Sequence, residues 1–272
     1  MSFVSDKPRG PLSEFVDSVW FYEGEAPAHA RERRLPTGGA GLVVNLRDDR
    51  CSVRSDAGEP RDYPGVVVSG PFTRPFVLDP AQQCETMGVE FKIGGAASLL
   101  GLPLDELRDL HVPLTELWSS HATELRERVL AAPSPSAKLV AVEQVLSIRL
   151  AQVSHRPHPA AARAAARIAA APERCGIAEL SEALGMSSRR LEQVFRADVG
   201  LTPKAHQCLQ RFRQALIRID RGALVGWAPF ALERGYYDQS HFIQEFRTHC
   251  GLTPSDYLAS RGTFLNHVPV SP

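Results

Sequence analysis

The sequence has 272 residues, a formal net charge of zero at pH 7 and 23% charged residues, values that suit a globular protein of one or two domains. A balanced charge excludes a polycation that coats nucleic acid along its whole length, so any basic surface must be local. The five cysteines form no Cys-x-x-Cys pair, which excludes a zinc ribbon or a thioredoxin-like redox motif. We find no signal-peptide pattern and no apolar run of membrane-spanning length, and therefore expect a cytoplasmic protein without a membrane partner.

The first 112 residues are predicted to be rich in β-structure. Short runs rich in valine recur there between clusters of Gly, Pro and Asp, at residues 42–46, 66–68, 76–78 and 87–91. Short apolar runs bounded by turn residues favour the strands of a small barrel or sandwich. Residues 11–22 are expected to form a helix that leads into an aromatic strand. We expect residues 1–112 to serve effector binding or dimerisation, and the residues that would bind an effector stay unknown.

Residues 113–155 are expected to form a helical connector. Leucine and valine recur with helical spacing on both sides of a break at residues 133–136, which predicts a helical hairpin. Its apolar stripes either pack on the preceding domain or form a dimer interface. The alternating prolines of residues 155–159 end the hairpin. The two histidines in that segment lack a third ligand nearby, so no metal site is predicted.

A repeat with an offset of 51 residues marks the last part of the chain. Residues 195–203 (FRADVGLTP) match residues 246–254 (FRTHCGLTP). In the shared Gly-Leu-Thr-Pro, glycine takes the left-handed turn that ends one helix, threonine caps the next helix and proline fits its first turn. Each copy is therefore expected to end as a helix, a stop and a new helix, which indicates a duplicated supersecondary unit.

Each copy contains a second helix pair, joined by a glycine turn at Gly185 in the first and at Gly235 in the second. A small residue four positions before each glycine allows the helices to cross closely, and apolar residues around it hold the corner. This pattern is typical of the helix-turn-helix. We place helix-turn-helix 1 at about residues 177–198 and helix-turn-helix 2 at about residues 227–250. Two such units in tandem indicate DNA binding much more strongly than one.

The second helix of each unit is the predicted recognition helix, whose N-terminal half faces the bases in a major groove. Arginine can bind guanine, and glutamine adenine, through two hydrogen bonds each. On this ground, exposed polar residues near the start of both helices are predicted to contact bases: Arg189, Gln193, Gln239, Ser240, His241 and Gln244.

Positive charge around these helices is expected to bind the phosphate backbone. Residues 160–262 hold fourteen Lys and Arg against ten Asp and Glu, so this region is mildly basic. Arg211 has an equal claim to a structural role, because it lies on the helix that connects the two units. That helix, at residues 203–219, would be about 25 Å long and would let a monomer contact two successive major grooves. The predicted phosphate contacts are Arg190, Arg196, Arg211 and Arg247.

Residues 160–262 resemble the DNA-binding domain of AraC-family transcriptional regulators. The resemblance is carried by residues 180–187 (LSEALGMS), the stop at 195–203 and residues 235–247 (GYYDQSHFIQEFR), with serine in place of a common alanine at position 181. It implies an activator that binds promoter DNA and recruits RNA polymerase. The N-terminal residues are similar to a domain of some family members, for which a cupin-like effector barrel is one comparison. The sequence lacks the His-x-His pair of metal-binding cupins.

Together these observations predict an α+β protein of two domains. An N-terminal β-rich small barrel with a helical hairpin precedes a C-terminal all-α double helix-turn-helix domain at residues 156–262, with a tail at 263–272. The predicted function is sequence-specific transcriptional regulation, with promoter DNA as partner and with RNA polymerase, a small-molecule effector and a second copy as further candidates. We expect neither a cofactor nor catalytic residues, and therefore no enzyme.

Two alternatives remain at this point. An architectural DNA-binding protein without an effector would bind with steep salt dependence and little sequence preference. A DNA-repair enzyme of the alkyl-transfer type would need a clustered cysteine zinc site with a reactive thiolate. The N-terminal part offers only Cys51 and Cys84 for such a site, which disfavours the repair enzyme.

Overall fold

The N-terminal half of the computed structural model is built on two antiparallel β-sheets. The structure describes residues 2–55, 58–153, 155–222 and 226–270. The strands in these ranges are β1 (Ser2–Asp6), β2 (Val16–Glu23), β3 (Glu32–Arg34), β4 (Gly41–Asn45), β5 (Arg50–Ser55), β6 (Arg61–Pro64), β7 (Val66–Ser69), β8 (Phe76–Leu78), β9 (Glu85–Phe91), β10 (His111–Pro113) and β11 (His267–Pro269). One sheet has the order β1-β2-β9-β4-β7-β10, and the other has the order β11-β3-β8-β5-β6.

The prediction of a β-rich first domain is confirmed, and the predicted small barrel takes the form of these two sheets. The valine-rich runs form strands because their apolar side chains meet across the sheet. Leu42 of β4 lies opposite Val89 of β9, and Val44 lies opposite Met87, with all four side chains buried. The comparison with a cupin-like barrel stays a prediction.

Residues 11–22 contain the predicted aromatic strand, but the strand starts earlier than expected and the helix before it is short. A short 3-10 helix at Gly10–Glu14 precedes β2, which pairs on one side with β1 and on the other with β9. Val16, Val19 and Phe21 of this strand are buried. Pairing along both edges outweighs a local helical preference, because sheet formation depends on neighbours that the local sequence does not contain.

Helices make up most of the chain after the sheets. They are α1 (Gly95–Leu100), α2 (Leu114–Trp118), α3 (Ser120–Ala131), α4 (Pro135–Gln152), α5 (Pro159–Ala170), α6 (Ile177–Ala183), α7 (Ser188–Val199), α8 (Pro203–Asp220), α9 (Trp227–Glu233), α10 (Gln239–Cys250) and α11 (Pro254–Ser260). Further 3-10 helices lie at Pro80–Gln83 and Leu104–Leu107. The all-α second domain is confirmed. Across the described ranges, no helix combines the length and the apolar character needed to cross a bilayer.

The hairpin of α3 and α4 packs on the first domain. Leu125 and Val129 of α3 share a hydrophobic core with Val142 and Leu146 of α4 and with Val19 of β2. The sequence left open whether the apolar stripes pack on the preceding domain or form a dimer interface. In the structure they pack on the adjacent sheet. The hairpin thus enlarges the N-terminal core.

The helical domain has two cores, one for each half of the repeat. The first, around α5, α6 and α7, is built mainly from small and aliphatic residues, among them Ala161, Ala164, Ile168, Leu180 and Leu191. The second, around α8 to α11, combines aliphatic residues with six buried rings, those of Phe212, Phe230, Tyr236, Phe242, Phe246 and Tyr257. Residues from the N-terminal domain enter both: Ile93 packs against the first core and Leu35 is buried in the second. The two domains therefore share hydrophobic contacts.

The end of the described chain returns to the N-terminal domain. Strand β11 pairs antiparallel with β3, with His267 opposite Arg34 and Pro269 opposite Glu32. Val268 is fully buried in the second helical core, and the His267 imidazole bonds the Glu32 carboxylate. The prediction of a tail is therefore wrong for these residues. A three-residue strand whose partner lies 235 positions earlier carries no local signal.

Candidate nucleic-acid interface

The first helix-turn-helix unit consists of α6, a glycine turn and α7. Ser181 is buried where the two helices cross, and its Oγ lies 3.0 Å from Ser188 Oγ at the start of α7. Gly185 forms the turn with a φ of +67°. Ser187 caps α7 by accepting the backbone N–H of Arg190 at 3.2 Å. These local features hold α7 across α6 and leave its outer side facing solvent.

The second unit, α9 and α10, repeats this arrangement. Ala231 is fully buried at the crossing, and Gly235 forms the turn. Asp238 caps α10 by accepting the backbone N–H of His241 at 2.8 Å. The cap follows the glycine by three positions here and by two in the first unit, so the second turn is one residue longer. Tyr237, in this longer turn, is 86% exposed.

The recognition helices α7 and α10 present equivalent positions to solvent. When the repeat offset of 51 residues is applied, predicted DNA contacts on one helix coincide with predicted contacts on the other. All the side chains in these pairs are exposed. The matched pairs are Arg189 with Ser240, Arg190 with His241, Gln193 with Gln244, and Arg196 with Arg247.

On α10 the structure brings predicted and unpredicted residues to one face. Ser240, Gln244 and Arg247 line a shallow groove together with Ile243 and Thr248. The groove offers an arginine, an amide and two hydroxyl groups beside one aliphatic surface. Such a surface can contact both base edges and a thymine methyl group.

Gln239 and His241 lie in the first turn of α10 and are exposed. The His241 imidazole packs edge-on against Tyr236, with ring centres 5.5 Å apart. Its Nδ1 accepts the backbone N–H of Tyr237 at 3.4 Å. In the neutral ring the proton then resides on Nε2, which makes this nitrogen a hydrogen-bond donor.

On α7 the predicted residues contact one another. Arg190 Nη1 donates to Gln193 Oε1 at 2.8 Å. A glutamine uses both its amide oxygen and its amide nitrogen to bind adenine, so Arg190 must release Gln193 for that contact. Arg196 pairs with Glu192 at 2.9 Å, and both side chains are about half exposed. An exposed ion pair is worth at most about 1 kcal/mol, so Arg196 can exchange Glu192 for a phosphate at low cost.

Arg211, predicted to contact phosphate, is buried, and that prediction is corrected here. Its Nη2 donates to Glu245 Oε2 at 2.7 Å, and its guanidinium lies over the Tyr236 ring at 4.8 Å. Burial acts to lower the pKa of Arg211, but Glu245 outweighs it and the pKa is raised. Contact with a phosphate would leave the Glu245 carboxylate buried without its cation. Arg211 therefore acts as a structural residue that joins α8 to α10.

Helix α8 connects the two units. Its 18 residues give a length of about 27 Å. Thr202 caps it by accepting the N–H of Ala205 at 3.0 Å, Pro203 occupies its first turn, and Gly200 before it has a φ of +79°. Gly251 and the residues that follow it end α10 and begin α11 in the same way. The predicted glycine stop, threonine cap and first-turn proline are therefore present in both copies of the repeat.

The C-terminal end of α7 contacts the N-terminal domain and the linker. Asp198, in the last turn, is 2% exposed. Its carboxylate accepts the backbone N–H of His158 at 2.6 Å and lies 3.2 Å from Nε2 of His155. Its carbonyl accepts the N–H of Gly94 at 3.1 Å. The C-terminal end of α7 is thus fixed.

The C-terminal end of α10 also contacts the N-terminal domain. Burial lowers the pKa of His249, and the hydrogen bond to the Thr73 carbonyl opposes this shift. The neutral ring donates from Nδ1 to that carbonyl at 2.6 Å. Both recognition helices are therefore held by their C-terminal ends, while the exposed residues of their N-terminal halves stay uncovered.

Sequence reasoning did not identify Asp198 and His249 as docking residues. The repeat places them at equivalent positions, 51 apart, but one is an acid and the other an imidazole. Neither type is distinctive near the end of an amphipathic helix. The exposure of Tyr237 could have been anticipated, because the sequence shows that the second glycine turn is one residue longer than the first.

The two histidines of the linker, which are potential metal ligands, make structural contacts. Within the ranges that the structure describes, no group of three or more His, Cys, Asp or Glu side chains is arranged to hold a metal ion. His155 pairs with Asp198, and the His158 ring caps α5 by accepting the N–H of Ala160 at 3.1 Å. The five cysteines are free thiols.

Two protein-family models match the chain. A domain of unknown function, DUF6597, matches residues 6–113, and a helix-turn-helix domain matches residues 180–260. The second match spans both recognition helices. A comparison with curated proteins finds no match.

Three solved structures illustrate what the chain is similar to. The C-terminal domain of AraT, a response regulator from Geobacillus stearothermophilus, is 20% identical over 40% of this chain and 92% of that chain, with a TM-score of 0.37. A DNA-binding transcriptional dual regulator from Escherichia coli K-12 is 24% identical over 37% of this chain and 95% of that chain, with a TM-score of 0.32. ToxT from Vibrio cholerae is 12% identical over 95% of this chain and 98% of that chain, with a TM-score of 0.44.

Proposed function

We propose that this chain, a DNA-binding transcriptional regulator whose residues 180–260 form an AraC-type helix-turn-helix domain, binds a bipartite promoter sequence as a monomeric unit. Helices α7 and α10 enter two successive major grooves, each with its N-terminal half against the bases. The observation that carries this proposal is the matched set of exposed polar residues at equivalent positions of the two helices.

Base recognition is assigned to the paired positions. On α7, Arg189 binds guanine, and Gln193 binds adenine once Arg190 has turned to the backbone. On α10, Ser240 and Gln244 take the equivalent places, and Gln239 and His241 contact the flanking bases. The two half-sites therefore differ in sequence, because the exposed side chains of the two helices differ.

Phosphate contacts are assigned to the exposed arginines at the edges of the recognition helices. Arg190, Arg196 and Arg247 are exposed, and all three lie on α7 or α10. Arginine suits this role because its planar fork matches the oxygens of a phosphate. Each such contact adds to the affinity for any duplex and to its dependence on salt.

Regulation is assigned to the N-terminal domain. This domain buries Leu35 in the core of the second helix-turn-helix unit and packs Ile93 against the core of the first. A small-molecule effector or a second copy that altered this packing would alter the freedom of both recognition helices. RNA polymerase is the proposed partner of the DNA-bound protein, with activation in the cytoplasm as the outcome.

Selection from a random pool of duplex DNA with the full chain tests bipartite recognition. We expect two unlike half-sites whose centres lie about 10.5 base pairs apart. Arg189→Ala is expected to relax base preference in one half-site and Gln244→Ala in the other. Each loses about tenfold in affinity for the selected site, because one bidentate contact is worth about 1–3 kcal/mol.

Arg163→Ala is the matched control, because it removes an exposed arginine of the same domain that lies on α5 and not on a recognition helix. It should leave base preference unchanged. A selection that enriches nothing above a salt-sensitive background would contradict sequence-specific recognition. The architectural alternative would then take its place, since such proteins bind through the backbone and DNA deformability.

A further inference from the structure

We infer that residues 70–73, which lie between β7 and β8, position the two recognition helices relative to each other and thereby set the half-site spacing that the protein accepts. We call these residues the spacer segment. The inference rests on the proposed bipartite recognition and names the part of the chain that determines its geometry. Its basis is that the spacer segment contacts the C-terminal end of both recognition helices.

The contact with α10 is a buried hydrogen bond. His249 donates from Nδ1 to the Thr73 carbonyl at 2.6 Å, and both residues are at least nine-tenths buried. The imidazole also packs on the Phe212 ring of α8, with ring centres 5.3 Å apart. A short hydrogen bond between buried groups resists displacement, because separation would leave both polar groups without a partner. The end of α10 is therefore tied to the spacer segment.

The contact with α7 is a close approach of the Pro71 ring to the backbone of Gly200. Gly200 ends α7, and a Cβ placed on it would lie 2.3 Å from Pro71 Cγ and 2.9 Å from the Leu104 carbonyl oxygen. Its φ of +79° also favours glycine. A residue with a Cβ does not fit at this position unless α7 moves away from the spacer segment. The end of α7 is therefore seated directly on Pro71.

Asp109 makes the spacer segment rigid. Its carboxylate accepts the Thr73 N–H at 2.6 Å and the Thr73 hydroxyl at 3.0 Å. Its own N–H donates to the Pro71 carbonyl at 3.4 Å, and the N–H of Gly70 donates to the Leu110 carbonyl at 3.0 Å. Asp109 has a φ of +55°, a left-handed conformation that Asp and Asn tolerate better than most residues. The carboxylate thus bonds to the residue that holds α10, and its backbone bonds to the residue that holds α7.

The sequence repeat relates His249 to Asp198, a second residue by which α7 contacts the N-terminal domain, through Gly94. Asp198 and His249 are 51 positions apart and occupy the same place in their units, and both are docked against the N-terminal domain. Both contacts lie at helix ends opposite those that face the bases. A rigid segment placed between these ends restrains the angle and the distance between α7 and α10. Since successive major grooves recur once per helical turn of DNA, such a restraint penalises half-sites that are out of phase.

The test measures affinity as a function of half-site spacing. Duplexes carry the two selected half-sites moved apart one base pair at a time, and the full chain is compared with His249→Phe and Asp109→Gly. His249→Phe keeps a ring beside Phe212 and removes the hydrogen bond, whereas Asp109→Gly keeps the left-handed backbone and releases Thr73. We expect the natural chain to lose at least about tenfold in affinity half a turn out of phase, and both variants to lose less than about threefold. Affinity for a single half-site should be unchanged in both.

Asp105→Asn is the matched control, because it removes an exposed carboxylate four residues from Asp109. It should keep the spacing profile of the natural chain. If either variant folds and keeps that profile, the inference is overturned while bipartite recognition stands. A natural chain that selects two half-sites but accepts every spacing also overturns it. If the natural chain selects no sequence, the proposed function fails, and the inference falls with it.

Discussion

The two helix-turn-helix units share one plan and differ in their interiors. In the first, the Phe195 ring meets the His206 imidazole edge-on, with ring centres 5.5 Å apart. In the second, the Phe246 ring meets Tyr257 in the same manner at 5.8 Å. The repeat offset of 51 relates both members of these pairs. The same contact is thus made once with a titratable imidazole and once with a phenol.

A second difference concerns charge. Val194 is buried in the first unit, and the equivalent position of the second unit is Glu245, which pairs with Arg211. An apolar position in one copy is therefore an ion pair in the other. Caps and turns are retained in both copies because the backbone conformation at helix ends requires them. The interior varies as long as space is filled and every charge has a partner.

The largest expected effect comes from breaking the ion pair of the second unit. Arg211→Leu is expected to lower the free energy of unfolding by about 4 kcal/mol, because it leaves Glu245 without its cation in a largely buried site. Combining it with Glu245→Val gives the second unit the valine of the first and should recover most of the loss. Urea denaturation of the full chain measures both.

The matched control for this prediction is Arg196→Leu. Its partner Glu192 is exposed, so the loss should stay below about 1 kcal/mol. Equal losses for the two single variants would contradict the distinction between a buried pair and an exposed pair. A double variant no more stable than Arg211→Leu would show that the interiors of the two units are not interchangeable at this position.

The next effect distinguishes the two edge-on ring pairs by pH. Burial lowers the pKa of His206 to about 4, so the native state binds a proton less readily than the unfolded chain, whose histidine titrates near 6.5. The contribution of His206 to stability is complete above pH 6.5 and is lost as the pH falls from 6.5 towards 4, by up to about 3 kcal/mol. Burial raises the pKa of Tyr257 to about 12, so this residue does not titrate in that range.

His206→Tyr, which gives the first unit the residue of the second, is therefore expected to reduce the loss of stability in acid. Urea denaturation at several values between pH 7 and 4 checks this. His241→Tyr serves as the control, since it makes the same substitution at an exposed position. An unchanged acid profile in His206→Tyr would contradict the assigned role of the buried imidazole.

The smallest effect concerns the caps that both units share. Thr202→Ala and Thr253→Ala should each cost about 1 kcal/mol, because each removes the acceptor for a backbone N–H at the start of a helix. The loss should be a few tenths of a kcal/mol larger at Thr253, whose hydroxyl also donates to Asp256 at 2.6 Å. Thermal unfolding measures these losses. Serine at either position should retain most of the stability, and a serine variant as unstable as the alanine variant would show that capping is not the cause.

The fold of the helical domain could be predicted well because its signals are local. The Gly-Leu-Thr-Pro stops, the serine and aspartate caps and the glycine turns act within four or five residues of chain. The exposed residues proposed to contact DNA follow from the same periodicity, and the structure places them on the outer faces of α7 and α10. Their contacts with bases stay a prediction. The valine-rich strands were likewise recognisable from their turns.

Other features could not be predicted, because their partners are remote in sequence. Arg211 has the composition of a phosphate contact and becomes structural only because Glu245 and Tyr236 come to lie beside it. Residues 11–22 have a helical pattern, but most of them enter a sheet because two strands flank them. The three residues of β11 acquire their role from a strand at the other end of the chain.

The sequence by itself determined where helices start and stop, that a unit is duplicated, and which side chains on each recognition helix face outward. These properties follow from backbone conformation and from the periodicity of apolar residues. Only the tertiary structure decided how the two units are held. The Thr73 carbonyl accepts a hydrogen bond from His249 across 176 positions of sequence, and Pro71 packs against Gly200. The reason is physical: a hydrogen bond or a close contact between remote segments depends on the packing of the whole chain, and no local pattern specifies it.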